Sequence, residues 1–194
     1  MSEYAPPFFW LHIKKSAGSS VREILSPHYV VVDRTKHPET FIQVDPSKYN
    51  DILNNYRILI GNYQLKRSLF AKKYLYPESW DGMLSFCFSR NPVSRAVSMF
   101  YYLMYAAKKS RLMYSLDFLK PLYRADKSFD LFLDCVEGGM RSDTLFYRYG
   151  SLSIPDGLHF VTHTAPMWGD VTDDEGRVIM KRIYRLECLE PALR

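Results

Sequence analysis

Phe8-Phe9-Trp10-Leu11-His12-Ile13 runs directly into Lys14-Lys15-Ser16-Ala17-Gly18-Ser19-Ser20 and then into Val21, Ile24 and Leu25. The six-residue apolar run has the pattern of a buried strand, and the i, i+3, i+4 spacing that follows is that of a helix. Between them sit two lysines, three serines, an alanine and a glycine. Small residues let a backbone curl closely around an anion, while successive N–H groups, a helix N-terminus, hydroxyls and ammonium groups complete a cradle. The lysines precede the glycine, unlike the order G-x-x-x-x-G-K-[ST], so a standard Walker NTPase is disfavoured. A plainer reading stands beside this one: Ser20-x-x-Glu23 is the wording of a capping box that opens a helix.

The same alternation continues outward. Tyr29-Val30-Val31-Val32 is a β-branched strand pattern, a helix is expected from Pro46 to about Asn55, and Arg57-Ile58-Leu59-Ile60 is a third strand ending at Gly61. Leu84-Ser85-Phe86-Cys87-Phe88 is a fourth strand; after Pro92, Val93, Ala96, Val97, Phe100 and Met104 form one helical stripe. Strands alternating with helices predict an α/β fold: three layers, with a mostly parallel central sheet flanked by helices. Chemistry is then expected where loops leave the strands' carboxyl ends, after Ile13, Val32, Ile60 and Phe88. A helix is expected over Ser128 to Val136, then a loop-rich region with Gly138-Gly139, Gly150, Pro155 and Gly157, and a tail that wraps the sheet instead of extending it.

A second chemical segment, Ser89-Arg90-Asn91-Pro92-Val93-Ser94-Arg95-Ala96-Val97-Ser98, lies at the end of the fourth strand. Asn91 reads as an N-cap and Pro92 as the first helical residue. Arg90 falls at the strand end, while Arg95 and Ser98, three apart, share a helix face. A guanidinium fork and a hydroxyl suit a phosphate. The alternative is a solvated arginine and an inward serine on an amphipathic helix.

Length and composition bound the rest. The chain has 194 residues and is 47% hydrophobic, enough for one sizeable core, so a single domain over 1–194 is expected. Lys+Arg 26 against Asp+Glu 21 gives +5, which points to an anionic partner without naming it. Cys87, Cys135 and Cys188 lie about fifty residues apart with no C-x-x-C pair, which disfavours a disulfide framework or a cysteine zinc module. No apolar run approaches the roughly 18 residues of a membrane span, so no integral membrane segment is expected.

Together, His12-Ile13-Lys14-Lys15-Ser16-Ala17-Gly18-Ser19-Ser20 and Phe88-Ser89-Arg90-Asn91-Pro92 with Arg95 and Ser98 resemble the sulfotransferases of the carbohydrate and membrane-associated branch. The first is similar to that family's 5′-phosphosulfate loop, H-I-P-K-T-A-G-T-S, and the second to its 3′-phosphate motif, R-[DN]-P-x-x-R-x-x-S. His159-Phe160-Val161-Thr162-His163 to Trp168, then Tyr184-Arg185-Leu186-Glu187-Cys188-Leu189, is a weaker echo of its late H-x-x-x-Q … G-R-x-E-x-L region. The resemblance implies a P-loop-like core and 3′-phosphoadenosine 5′-phosphosulfate (PAPS) as donor, with adenosine 3′,5′-bisphosphate as product and no metal. It implies that Lys14, Lys15, Ser16, Ala17, Gly18, Ser19 and Ser20 hold the 5′ end, Lys15 steadying the bridging oxygen, and that Arg90 and Ser98 hold the 3′-phosphate. The acceptor would be a hydroxyl, on a glycan by the motif wording, with no nucleic-acid partner. The compartment would be cytoplasmic in a bacterium, or the Golgi lumen, without its anchor, in a eukaryote.

The departures are specific. Lys14 stands where the family has proline, and Gly61-Asn62-Tyr63 stands where it often has Gly-His, the histidine serving as base. An amide does not titrate near neutral pH. The base would come from His12, Glu23, His37 or His163, or the acceptor is activated differently, or the chain binds donor without efficient transfer. Each has a plainer reading: a core histidine at His12, a surface loop at His37, helix capping at Glu23. His159 and His163 would be about 13 Å apart on a strand, too far to share an ion. The chain also stops soon after Arg185-Leu186-Glu187, where the family continues into a further helix; this fits either a naturally short protein or a shortened C-terminus, and in the latter case part of the acceptor wall would be missing. The rival enzyme reading is a P-loop nucleotide kinase, with Asp33 as its one acidic candidate after a strand.

Overall fold

The computed structural model describes residues 8–28, 53–54, 60–109, 128–141 and 163–189, of which 103–109, 135 and 138–141 are described in backbone only. The chain divides into two compact units, Met1–Asn91 with Pro166–Arg194, and Pro92–Ala165.

The first unit is built on a three-stranded parallel sheet in the order β1 (Phe8–Leu11), β2 (Leu84–Ser89), β3 (Arg182–Arg185). Pairing of Leu11 with Cys87 and of Ser89 with Arg185 aligns the carboxyl ends of all three strands at one edge. Both faces are covered, as parallel strands require. Phe9, Leu11 and Cys87 point to a core shared with Ala71, Trp80, Met83 and Val171, contributed by helix α2 (Arg67–Phe70), its π-turn continuation Ala71–Leu75, the following turn and helix α5 (Met167–Val171). On the opposite face Trp10 and Phe88 pack against Val21 and Leu25 of helix α1 (Gly18–Leu25). Burying a large apolar side chain of this kind contributes on the order of 2 kcal/mol. The α/β class and parallel pairing expected from the sequence are therefore present.

The expected first strand, Phe8 to Ile13, is shorter, since His12 and Ile13 leave the ladder although both stay buried. The expectation that the tail wraps the sheet is corrected by β3, which extends it. All four of its residues are exposed, so β3 is held mainly by its backbone ladder, by Ser89 Oγ donating to the Tyr184 carbonyl (3.2 Å), by Lys181 N–H donating to Ser85 Oγ (3.0 Å) and by the Tyr184 ring against Phe86 (6.2 Å) and Phe88 (5.6 Å). A four-residue strand with an arginine at each end and no fully buried position carries no apolar run or alternation to read. The strand expected at Tyr29–Val32 and nearly all of that at Arg57–Ile60 lie outside the described residues, as does most of the helix expected from Pro46. Its Leu53 and Asn54 sit in a turn.

The second unit contains α3 (Pro92–Lys109) and α4 (Phe129–Arg141). Pro92 opens α3 as expected. The stripe proposed for that helix is out of phase: Val93 is 69% and Val97 38% exposed, whereas Arg95 and Met99 are buried. Arg95 is stable inside because its guanidinium donates to the carbonyls of Ala165 (3.1 Å) and His163 (3.0 Å). Phe100 packs edge-on against Phe129 and Phe132 of α4. The expected helix at Ser128–Val136 is present and runs on through Gly138 and Gly139, where a loop was expected.

Cys87 is buried in the sheet, and burial, reinforced by the Asp170 charge, pushes its thiol up to about 12. The thiolate is the reactive form. Alkylation of the native protein near neutral pH followed by peptide mapping should label the exposed Cys188 and leave Cys87 unmodified until the chain is denatured. No described helix is long and apolar enough to cross a membrane.

Candidate functional site

The carboxyl edge of the sheet gathers the loop after β1, Arg90-Asn91 after β2 and Leu186–Cys188 after β3. Ligands of open parallel sheets bind at this edge. The loop after β1 makes an unusual turn: Ser16 N–H donates to the Ile13 carbonyl (3.2 Å), and the flanking Lys15 and Ala17 both take left-handed backbone conformations, φ 64 and 55. For a residue with a Cβ each such conformation costs about 1 kcal/mol, a cost that persists only where the surroundings fix it.

Helix α1 starts at Gly18 with Ala17 as its N-cap, and no side chain caps it. This corrects the capping-box reading of Ser20 and Glu23: Ser20 is already the third helical residue, exposed with Ser19, and Glu23 lies mid-helix on the exposed face. The first-turn N–H groups keep their partial positive charge without a side-chain acceptor. Ser16, two residues before α1, is only 2% exposed, and its Oγ has no hydrogen-bond partner among the described residues. Buried hydroxyls are almost always bonded, so an orphan at this position calls for a partner such as a water, an ion or a ligand oxygen.

Arg90, 75 residues away in sequence, donates from Nη1 to the Lys15 carbonyl (3.2 Å). Desolvation first, and the Arg90 guanidinium second, hold the Lys15 ammonium below its ordinary value. Two cations this close repel, and an anion between them removes the repulsion. Lys14 differs in burial: it is 2% exposed, while Lys15 is half-buried beside Arg90. Glu187 closes the far side of the edge, accepting the Asn91 N–H at 2.7 Å; that bond, ahead of the charges of Arg90 and Arg185, holds its carboxyl below the usual range.

His12 is placed as a packing residue. Its ring stacks on Trp10 (5.7 Å, 18°) and lies so close to Gly18 that a Cβ there would fall 1.7 Å from Nε2. Its backbone is equally fixed: His12 N–H donates to Asn54 Oδ1 (2.8 Å) and its carbonyl accepts from Arg67 Nη2 (3.0 Å). Asn62 is exposed in a 3-10 turn, Gly61–Tyr63. His163 belongs to the second unit, buried and stacked on Tyr102 (4.9 Å, 17°). Ser98, half-buried, and Arg95 are also in that unit, and Arg95 is committed to carbonyls there instead of an outward face. His37 lies outside the described residues. Among the described residues no three His, Cys, Asp or Glu side chains gather as a metal site.

Sequence reasoning missed Asn54, Arg67 and Asp170. Arg67 and Asp170 are 103 residues apart, outside any motif, and only the fold brings them beneath the loop. No family model, no curated protein and no solved structure matches the chain, so this site is read from its own residues.

Proposed function

We propose that the chain is a sulfotransferase of P-loop-like fold that uses PAPS and modifies an acceptor hydroxyl, with a glycan as the acceptor class. The observation that carries the reading is Arg90 reaching the Lys15 carbonyl in the loop that leads, through the unpartnered Ser16 hydroxyl, into an α1 N-terminus without a side-chain cap. That donor set is cationic and hydrogen-bond-donating throughout, which fits a phosphate or sulfate ester and no metal chelate.

When bound, the donor supplies a sulfuryl group: the acceptor oxygen bonds to sulfur as the bridging S–O bond to the 5′-phosphate breaks, and the acceptor proton leaves to a base. Lys15 stabilises the charge that collects on the leaving phosphate oxygen. The α1 N–H groups and Ser16 would hold the anionic end of the donor. Such positioning and fixed electrostatics are the main contributions available to group transfer of this kind. Arg90 is assigned to the 3′-phosphate, and Ser98 is given the same role by resemblance alone.

Calorimetry with adenosine 3′,5′-bisphosphate, ATP and ADP tests the donor. Bisphosphate is expected to bind most tightly, and Arg90→Ala to weaken it by about tenfold to a hundredfold, the range of a lost charge-assisted contact. Equal binding of ATP together with an indifferent Arg90→Ala would remove the sulfotransferase reading. The exposed Asn62, where the resembled family often has a histidine base, favours a second reading, a nucleotide binder without turnover. Labelled PAPS presented with a glycan panel separates the two.

A further inference from the structure

Arg67 is almost fully buried, and its hydrogen-bond partners among the described residues, Asp170, Leu53 and His12, all belong to the first unit. Its Nε and Nη2 grip Asp170 (3.0 Å to Oδ1, 2.7 Å to Oδ2), and its backbone N–H reaches Asp170 Oδ1 as well (3.1 Å). Two further donors go to main chain: Nη2 to the His12 carbonyl (3.0 Å) and Nη1 to the Leu53 carbonyl (3.4 Å). Asn54, next to Leu53, takes the His12 N–H and gives its own Nδ2–H to the Trp10 carbonyl (3.2 Å). The peptide groups on both sides of His12, at the point where β1 becomes the loop, are thus held from both hydrogen-bonding directions.

Asp170 reaches this position because α5 approaches the Leu65 carbonyl closely at Gly169, where a Cβ would sit 2.8 Å from that oxygen. Two left-handed residues without glycine's freedom lie three and five positions after His12. A strained loop keeps its shape only if its ends are fixed. We infer that Arg67, oriented by Asp170, is a positioning residue that fixes the anion-binding conformation of the loop 12–18 through the His12 carbonyl.

This inference rests on the reading of that loop as an anion cradle, and its test has one arm that does not. In Arg67→Met and Asp170→Asn, hydrogen exchange at the amides of Lys15 to Gly18 should accelerate by about tenfold or more while exchange at Cys87 in β2 stays at the wild-type rate. Affinity for adenosine 3′,5′-bisphosphate should fall by a similar factor. Arg67→Lys keeps the charge opposite Asp170 but lacks the fork, and should recover only part of the loss. Lys66→Ala, which removes an exposed ion pair with Asp174 one residue away, should change neither readout. Loop exchange that is unaltered, or that rises only in step with β2, overturns the inference; so does failure of all three site variants to fold, which would make the pair a folding determinant. If wild-type protein does not bind bisphosphate but the exchange pattern holds, the donor reading fails and the positioning role stands.

Discussion

Gly18→Ala is expected to destabilise the protein and weaken bisphosphate binding, although helix propensity alone predicts the opposite sign. Gly18 is the first residue of α1, where alanine is ordinarily better than glycine by up to about 1 kcal/mol. Here the added Cβ would lie 1.7 Å from His12 Nε2 and 1.9 Å from Cδ2, well inside any tolerable contact. The imidazole has little room to retreat, being buried and stacked on Trp10. Either the ring leaves Trp10 or α1 shifts away from the sheet. Overpacking of this kind costs about 1 to 3 kcal/mol, and a loop displaced by an ångström loses about a hundredfold in a site that depends on placement. Thermal unfolding and calorimetry read the two effects. His12→Ala in the same chain makes room for the new methyl, so the double variant should be markedly less impaired than the sum of its parts. Strict additivity, or a Gly18→Ala protein of unchanged stability and affinity, would show that the ring and the helix start are not in conflict.

That contact also explains what was legible in the sequence. β1, the loop and α1 were readable because each is specified locally, by an apolar run, a small-residue turn and a 3.6-residue period. The spacing of Arg95 and Ser98 correctly gave a shared helix face, but spacing does not say whether that face turns inward, and the carbonyls of His163 and Ala165 decided it for Arg95. His12 was weighed as a base or a core residue, and the burial of its ring against Gly18 is a tertiary fact with no local signal. β3 was hidden because it is short, arginine-flanked and has no fully buried residue, and Arg67 with Asp170 because each looks like an ordinary charged residue until the chain is folded.

The second large effect concerns Lys15. Lys15→Ala is expected to weaken bisphosphate by about a hundredfold, more than Lys14→Ala, because Lys15 is the ammonium that shares its surroundings with Arg90 while Lys14 is packed inside. The same pairing fixes a pH dependence. Burial and then Arg90 lower the Lys15 value, so in the free folded protein this lysine releases its proton below 10.5, where the unfolded chain still holds it. Between the lowered value and 10.5 the unfolded state binds more protons, so this group's contribution to stability rises with pH across that window. Anion binding runs the other way. A bound phosphate ester favours charged Lys15, so binding takes up protons as pH rises and affinity falls along an alkaline limb that begins below 10.5. Arg90→Leu removes the repulsion but not the desolvation; the limb should then move toward higher pH even as affinity at neutral pH drops. Titration of bisphosphate from neutral to alkaline pH in buffers of different ionisation enthalpy measures both the limb and the proton uptake. A flat profile up to the ordinary lysine range, or one that Arg90→Leu leaves in place, would mean that Lys15 is not the cation facing the ligand.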